Sequence, residues 1–193
     1  MKTYWMPRRV ALALLGGGLY WPTAGAAMRP PGRVLILRHM QTEAGVGDPP
    51  GYRLDNCSSQ RNLSAEGRAQ ARAFGERLAA AGWIPQAIRS SRWCRCVDSA
   101  RAIAAALGVN TPAVQVLDDL NSFFDQRQRE PEQTARLRQR LRSLAAPATG
   151  QSFELWVTHQ VNISALTGAA TAMGQALWLS PRPDGGLDTR PFA

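Results

Sequence analysis

Lysine is nearly missing from this chain of 193 residues: Lys2 is the only one, and arginine carries almost all the positive charge behind the net +9. Arginine prefers planar, bidentate partners such as phosphate and carboxylate. A genome rich in Arg and Ala codons leaves the same bias, and both readings stand. No Lys/Arg block is interleaved with aromatic residues, as a nucleic-acid surface would show. The densest run, "RLRQRLR" at 136–142, is spaced as one wet helix face. Cysteine is sparse, with only Cys57, Cys94 and Cys96, and these with two histidines show no zinc-site spacing. Cys94 and Cys96 are too close to bridge comfortably at a helix start. Cys57 with one of them is the bridge expected in an oxidising compartment, and three free buried thiols is the alternative. Beyond residue 27 no apolar run is long enough to cross a bilayer. No internal repeat and no second domain are visible.

Residues 1–27 differ from the rest. Lys2, Arg8 and Arg9 form a basic start, "VALALLGGGLYW" a short apolar stretch, and "PTAGAA" puts small residues at Ala24 and Ala26. This is the layout of a secretory signal peptide, with an uncleaved anchor as the alternative. Removing it takes away three positive charges and no negative ones, so +9 becomes +6. The expectation is a periplasmic or otherwise exported protein whose single domain spans 28–193.

Within that domain apolar runs alternate with helical patterns. "RVLIL" (33–37), "QAIRSS" (86–91), "AVQVL" (113–117) and "SFELWVTH" (152–159) read as strands. Ser64 caps a helix that stops at Gly82, "RCVDSARAIAAALG" forms a second ending at Gly108, and Pro131 opens a charged third running to about Ala146. Asn162 is the expected cap of a helix over "ISALTGAATAMG", and "ALWLSPRPDGGLDTRPF" reads as a hairpin turning at "PDGG". Such alternation predicts an α/β fold: a mostly parallel central sheet, helices on both faces, and a C-terminal hairpin. The polar, Pro/Gly-rich stretch at 41–62 is long for a loop, and such loops are commonly functional.

The chain has two histidines, His39 and His159, and each follows a predicted strand. Parallel strands gather their carboxyl ends on one edge, where ligands bind in open α/β sheets. Arg38 precedes the first histidine, and the strand "QAIRSS" ends near a cluster of Arg89, Arg92 and Arg95. Two imidazoles among several guanidiniums make an electropositive pocket suited to a phosphoryl group.

Four segments carry a resemblance. "LILRHMQT", "NLSAEGRAQA", "SSRWCRCVDSARAIA" and "LWVTHQVNISALTG" come in the order of the motifs of the histidine phosphatase superfamily, the phosphoglycerate-mutase-like fold. The chain resembles its small single-domain branch over most of residues 33–170. The resemblance implies His39 as the nucleophile that becomes phosphohistidine, Arg38 and Arg95 as phosphate grips, His159 as the second pocket histidine and Thr42 as a hydroxyl near the phosphate. It implies no metal and no cofactor. Asp119 is the position-matched candidate for the acid that protonates the leaving group, beside Asp118 and Asp125. Arg61, in the pocket-wall loop, is a further candidate for binding phosphate or an acidic substituent. Met40 stands where the family usually has glycine, with the expectation that it narrows the pocket floor. Trp93 is expected to pack on the sheet rather than line the entrance.

The chemistry agrees with this assignment. Phosphoryl transfer needs positioning and charge stabilisation, a neutral imidazole can attack phosphorus, and nearby cations keep that imidazole neutral. The expected function is a metal-independent phosphomonoester hydrolase with a small phosphorylated substrate, an envelope sugar phosphate being one that fits export. The alternatives are a phosphomutase, an inactive phosphate- or phosphoglycan-binding protein, and a basic surface that binds anionic lipopolysaccharide or nucleic acid.

Overall fold

The computed structural model describes Met1, residues 33–144 and residues 152–192. The leader expected at 1–27 lies outside the described residues. Six strands, β1 (Val34–Arg38), β2 (Ala87–Ser90), β3 (Val114–Val116), β4 (Glu154–Thr158), β5 (Ala176–Pro181) and β6 (Leu187–Pro191), form one sheet in the order β3-β2-β4-β1-β5-β6. The four strands β3, β2, β4 and β1 are parallel neighbours. β5 runs antiparallel to β1, and β6 antiparallel to β5 as the expected hairpin.

The side chains of β1 alternate between two cores, as strand geometry requires. Leu35 and Leu37 join Phe74, Leu78, Ile103, Leu155, Val157 and Trp178 on one face. Val34 and Ile36 join Leu137, Leu141, Trp156, Ile163 and Leu179 on the other. Helices α1 (Ala65–Ala80) and α2 (Cys94–Leu107) cover the first face. Helices α3 (Glu130–Ser143) and α4 (Gln160–Thr167) cover the second. A strand buried on both faces must be apolar throughout, which is why "VLIL" shows no polar alternation. Full burial of each such side chain is worth about 1.5–3 kcal/mol.

One helix differs from expectation. α4 begins at Gln160 with His159 at its N-cap, and Asn162 lies inside it rather than capping it. The reason is packing. The Asn162 amide is buried and its Nδ2 donates to the Asn121 carbonyl at 2.9 Å, tying α4 to the connection between β3 and α3. Gly168, at φ +76°, then ends the helix, so "GAATAMG" (168–174) is not helical.

Two glycines set how closely elements approach. A Cβ on Gly75 would meet the Ile103 carbonyl oxygen at 2.6 Å, so α1 and α2 touch there. A Cβ on Gly67 would collide with the Gln41 carbonyl, which already accepts the Ser64 N–H at 3.1 Å. Gln41 lies two residues after His39, so this contact anchors the chain as it leaves the sheet edge. Gly67→Ala is expected to cost about 1–3 kcal/mol through overpacking. A urea midpoint equal to that of the parent protein would contradict this placement.

Candidate active site

β1 and β4 lie side by side with Arg38 in register with Thr158, and each strand then runs directly into a histidine. The His39 N–H donates to the Thr158 carbonyl at 2.9 Å, which continues the ladder by one step. The two imidazoles therefore meet, with ring centroids 5.5 Å apart. They line a cavity of about 630 Å³ together with Arg38, Arg61 and Arg95. The 41–62 loop adds residues 47–52, α2 adds Trp93 at its N-cap, the segment after β3 adds Ser122, Phe124 and Asp125, and α4 adds Gln160 and Val161.

Both imidazoles are held in one orientation and kept neutral. His39 Nδ1 lies 2.9 Å from the Met40 carbonyl, so Nδ1 carries the proton and Nε2 is the basic nitrogen. Ser91 Oγ donates to Asn121 Oδ1 at 3.0 Å, an oxygen that also accepts the Arg92 N–H. Ser91 Oγ is thus the acceptor for His159, whose Nε2 lies 2.9 Å away, which leaves Nδ1 of His159 as its basic nitrogen. Burial, and after it the charges of Arg95, Arg38 and Arg61, push the His39 pKa down to about 3, against the hydrogen bond to Met40 that pulls it up. Burial and the same three arginines, with His39, push His159 well below the ordinary imidazole value.

This carries a pH consequence. A folded pKa below the unfolded one means the unfolded chain binds more protons between them. The stability that His39 contributes is complete above about pH 6.5 and is lost as pH falls from there toward 3, and His159 acts in the same direction. The loss is on the order of a few kcal/mol. In denaturant titrations between pH 6.5 and 4, His39→Asn is expected to lose stability less steeply than the parent. Equal slopes would contradict the burial argument.

The guanidiniums are crowded and under-partnered. Arg38 Nη1 donates to the Thr171 carbonyl at 2.7 Å. Arg95 Nη1 pairs with Asp48 Oδ1 at 2.9 Å, and its guanidinium lies 4.3 Å from the Trp93 ring centre. Arg61 Nη1 donates to the Val46 carbonyl. The Nε of each of the three is buried without a hydrogen-bond partner. Burial and mutual repulsion lower the pKa of Arg38 and of Arg61. Three cations held together against their own repulsion define an anion site. The N-termini of α2 and α4, neither capped by a side chain, start beside it.

The other residues expected at the site are placed as follows. Asp119 is not among those lining the cavity: its carboxylate accepts from Arg136 Nε at 2.6 Å on the α3 side. The turn Asp118–Leu120 aims its successive side chains in different directions, and Asp118 pairs with Arg92. The carboxylates that reach the cavity are Asp48 and Asp125. Thr42 is buried against Met173 and also lies away from the cavity lining. Arg89 pairs with Glu154 and Arg92 is exposed, so Arg95 alone of that cluster faces the cavity. Met40 does not narrow the floor, because its side chain packs into the core under α1 and α2. Trp93 is buried and lines the cavity wall as well, its ring tilted against Tyr52 with centroids 4.6 Å apart. Cys57 bridges Cys94, and Cys96 is a buried free thiol 3.4 Å from His159 Nε2. Sequence reasoning missed Asp48, Ser91, Asn121 and Phe124. The first sits in a loop whose path no periodicity reveals, and the others are ordinary loop residues until β2, β3 and β4 are side by side.

Paired neutral imidazoles among converging arginines, at the carboxyl edge of a parallel sheet, make an electropositive pocket suited to an anion. The family model of the histidine phosphatase superfamily (branch 1) matches residues 34–124. Similar solved structures share the fold. One is the protein histidine phosphatase SixA complexed with tungstate, at TM-score 0.59 and 15% identity over 81% of this chain and 93% of that one. Another is a mycobacterial glucosyl-3-phosphoglycerate phosphatase complexed with VO3, at TM-score 0.58 and 20% identity over 83% and 97%. A third is mycobacterial hydrolase 1, at TM-score 0.60 and 21% identity over 83% and 96%. No curated protein matches the chain.

Proposed function

We propose that the protein is a metal-independent phosphomonoester hydrolase that works through a phosphohistidine on His39. The observation that carries this reading is the neutral His39 with Nδ1 tied to Met40 and Nε2 basic, beside three under-partnered arginines. The Nε2 lone pair attacks phosphorus, the P–N bond forms, and the ester P–O bond breaks. The leaving oxygen takes a proton from water. Water then attacks phosphorus, the P–N bond breaks, and inorganic phosphate leaves. Arg38, Arg61 and Arg95 neutralise the phosphoryl oxygens as charge spreads over them. A bound dianion favours protonated His159, whose Nδ1–H then donates to the phosphoryl group.

Export is part of the reading. It is supported by the leader pattern at 1–27 and by the Cys57–Cys94 bridge, which suits an oxidising compartment. Among the described residues no helix is long and apolar enough to cross a membrane.

The test is hydrolysis of a generic aryl phosphate in excess chelator, with rapid acid-free quenching to trap labelled enzyme. Turnover with a transient, acid-labile phosphoenzyme is expected. Tight phosphate binding without turnover would instead identify a binding protein, and stable labelling without phosphate release a mutase.

A further inference from the structure

The cavity divides into two parts of opposite character, and the outer part has no task in the chemistry described above. The histidines and arginines form the phosphoryl end. The remaining volume is several times what one phosphate fills, given that water occupies about 30 Å³ per molecule, and the whole cavity measures about 630 Å³. Its outer wall is built from Pro49, Pro50, Tyr52, Trp93, Phe124 and Val161. Phe123 and Phe124 are consecutive, yet Phe123 is 1% exposed and Phe124 is 63% exposed. One fills the core and the other is held out at the cavity. Arg127 lies over the Phe124 ring at 5.2 Å, which helps fix it there. Asp125 shares this wall and accepts from the Tyr52 hydroxyl at 3.3 Å, whereas Asp48 is paired with Arg95 at the phosphoryl end.

We infer that this outer wall is the subsite for the leaving group, and that the preferred substrate class is a monophosphate ester of a compact ring-bearing, largely apolar alcohol. This rests on the hydrolase reading above. An aromatic and proline wall gains by covering apolar area and by stacking on a planar ring. The Asp125 carboxylate repels a second phosphate or carboxylate on the substrate, so bisphosphates and polyanionic glycans are selected against. The wall is preorganised, because its loop carries two consecutive prolines and is cross-linked by Cys57–Cys94 to the helix that presents Arg95.

The test uses non-hydrolysable phosphonates, whose binding is free of leaving-group reactivity. Affinities of the full chain for methylphosphonate, benzylphosphonate and xylylene bisphosphonate are measured by calorimetry. Benzylphosphonate is expected to bind roughly tenfold or more tightly than methylphosphonate, and the bisphosphonate more weakly than benzylphosphonate. Phe124→Ala is expected to weaken benzylphosphonate more than methylphosphonate. Equal affinities for the first two ligands, or a preference for the bisphosphonate, overturn the subsite while leaving the hydrolase reading intact. If no phosphonate binds, or if binding survives Arg95→Ala unchanged, the hydrolase reading falls and takes the subsite with it.

Discussion

His39→Ala is expected to reduce kcat by roughly 10⁴-fold or more, the scale seen when a hydrolase loses its nucleophile. The argument is geometric. With Nδ1 committed to the Met40 carbonyl, His39 offers one basic nitrogen, and no other neutral nucleophile stands at the phosphoryl end of the cavity among the described residues except His159. His159 keeps a basic Nδ1, but its ring is tied through Nε2 to Ser91, and in the proposed mechanism Nδ1 carries the proton donated to the phosphoryl group. The same substitution should leave the affinity for inorganic phosphate within severalfold, because Arg38, Arg61 and Arg95 remain. Arg95→Ala should behave in the opposite sense, weakening phosphate binding strongly and removing the partner of Asp48. Steady-state kinetics with phosphate as competitive inhibitor separates the two roles. Residual turnover in His39→Ala above about 1% of the parent rate would exclude His39 as the covalent nucleophile.

The parts of this site that were legible in the sequence are those carried by regular periodicity. "VLIL" and "ELWV" are recognisable as doubly buried strands, so the sequence alone puts the residues that follow them, Arg38–His39 and His159, at one edge. The register that brings Arg38 opposite Thr158 is a tertiary fact, and it alone turns two strand ends into rings 5.5 Å apart. Where the backbone leaves regular structure, the reading weakened. Asp118, Asp119 and Asp125 were all visible as candidate acids, but the short turn Asp118–Leu120 sends Asp119 to Arg136 and leaves Asp125 at the cavity. Sequence position gives no hint of that, since side-chain direction in a single turn changes with every residue. Met40 was misread for a similar reason. It follows His39 by one residue, and successive residues leaving a strand point to opposite sides, so its side chain enters the core instead of the cavity.

Loss of the Cys57–Cys94 bridge is expected to have the largest effect on stability of any change considered. Cys57 sits in the short turn Cys57–Ser59 of the cavity-wall loop, and Cys94 opens α2 one residue before Arg95. The 37-residue separation encloses all of α1 and β2. Closing a loop of that length removes unfolded-state entropy worth about 3–4 kcal/mol in the chain-entropy account. Part of the wall's position survives without it: Gln60 Oε1 still accepts the Cys94 N–H at 3.0 Å, and Gln60 Nε2 donates to the Arg53 carbonyl. Cys57→Ser, or reduction of the parent protein, should therefore leave a folded chain with its thermal midpoint lowered by roughly 6–16 °C. KM should rise more than kcat falls, because the bridge holds the loop that carries Asp48 and Tyr52 and touches none of the reacting atoms. Cys96 contributes nothing to this response, since burial pushes its thiol up to about 12 and keeps it inert. A thiol titration of the denatured, unreduced protein should find one free thiol per chain and, after reduction, three. Three thiols before reduction, together with a midpoint that ignores reductant, would remove both the bridge and the preorganised wall that the leaving-group subsite relies on.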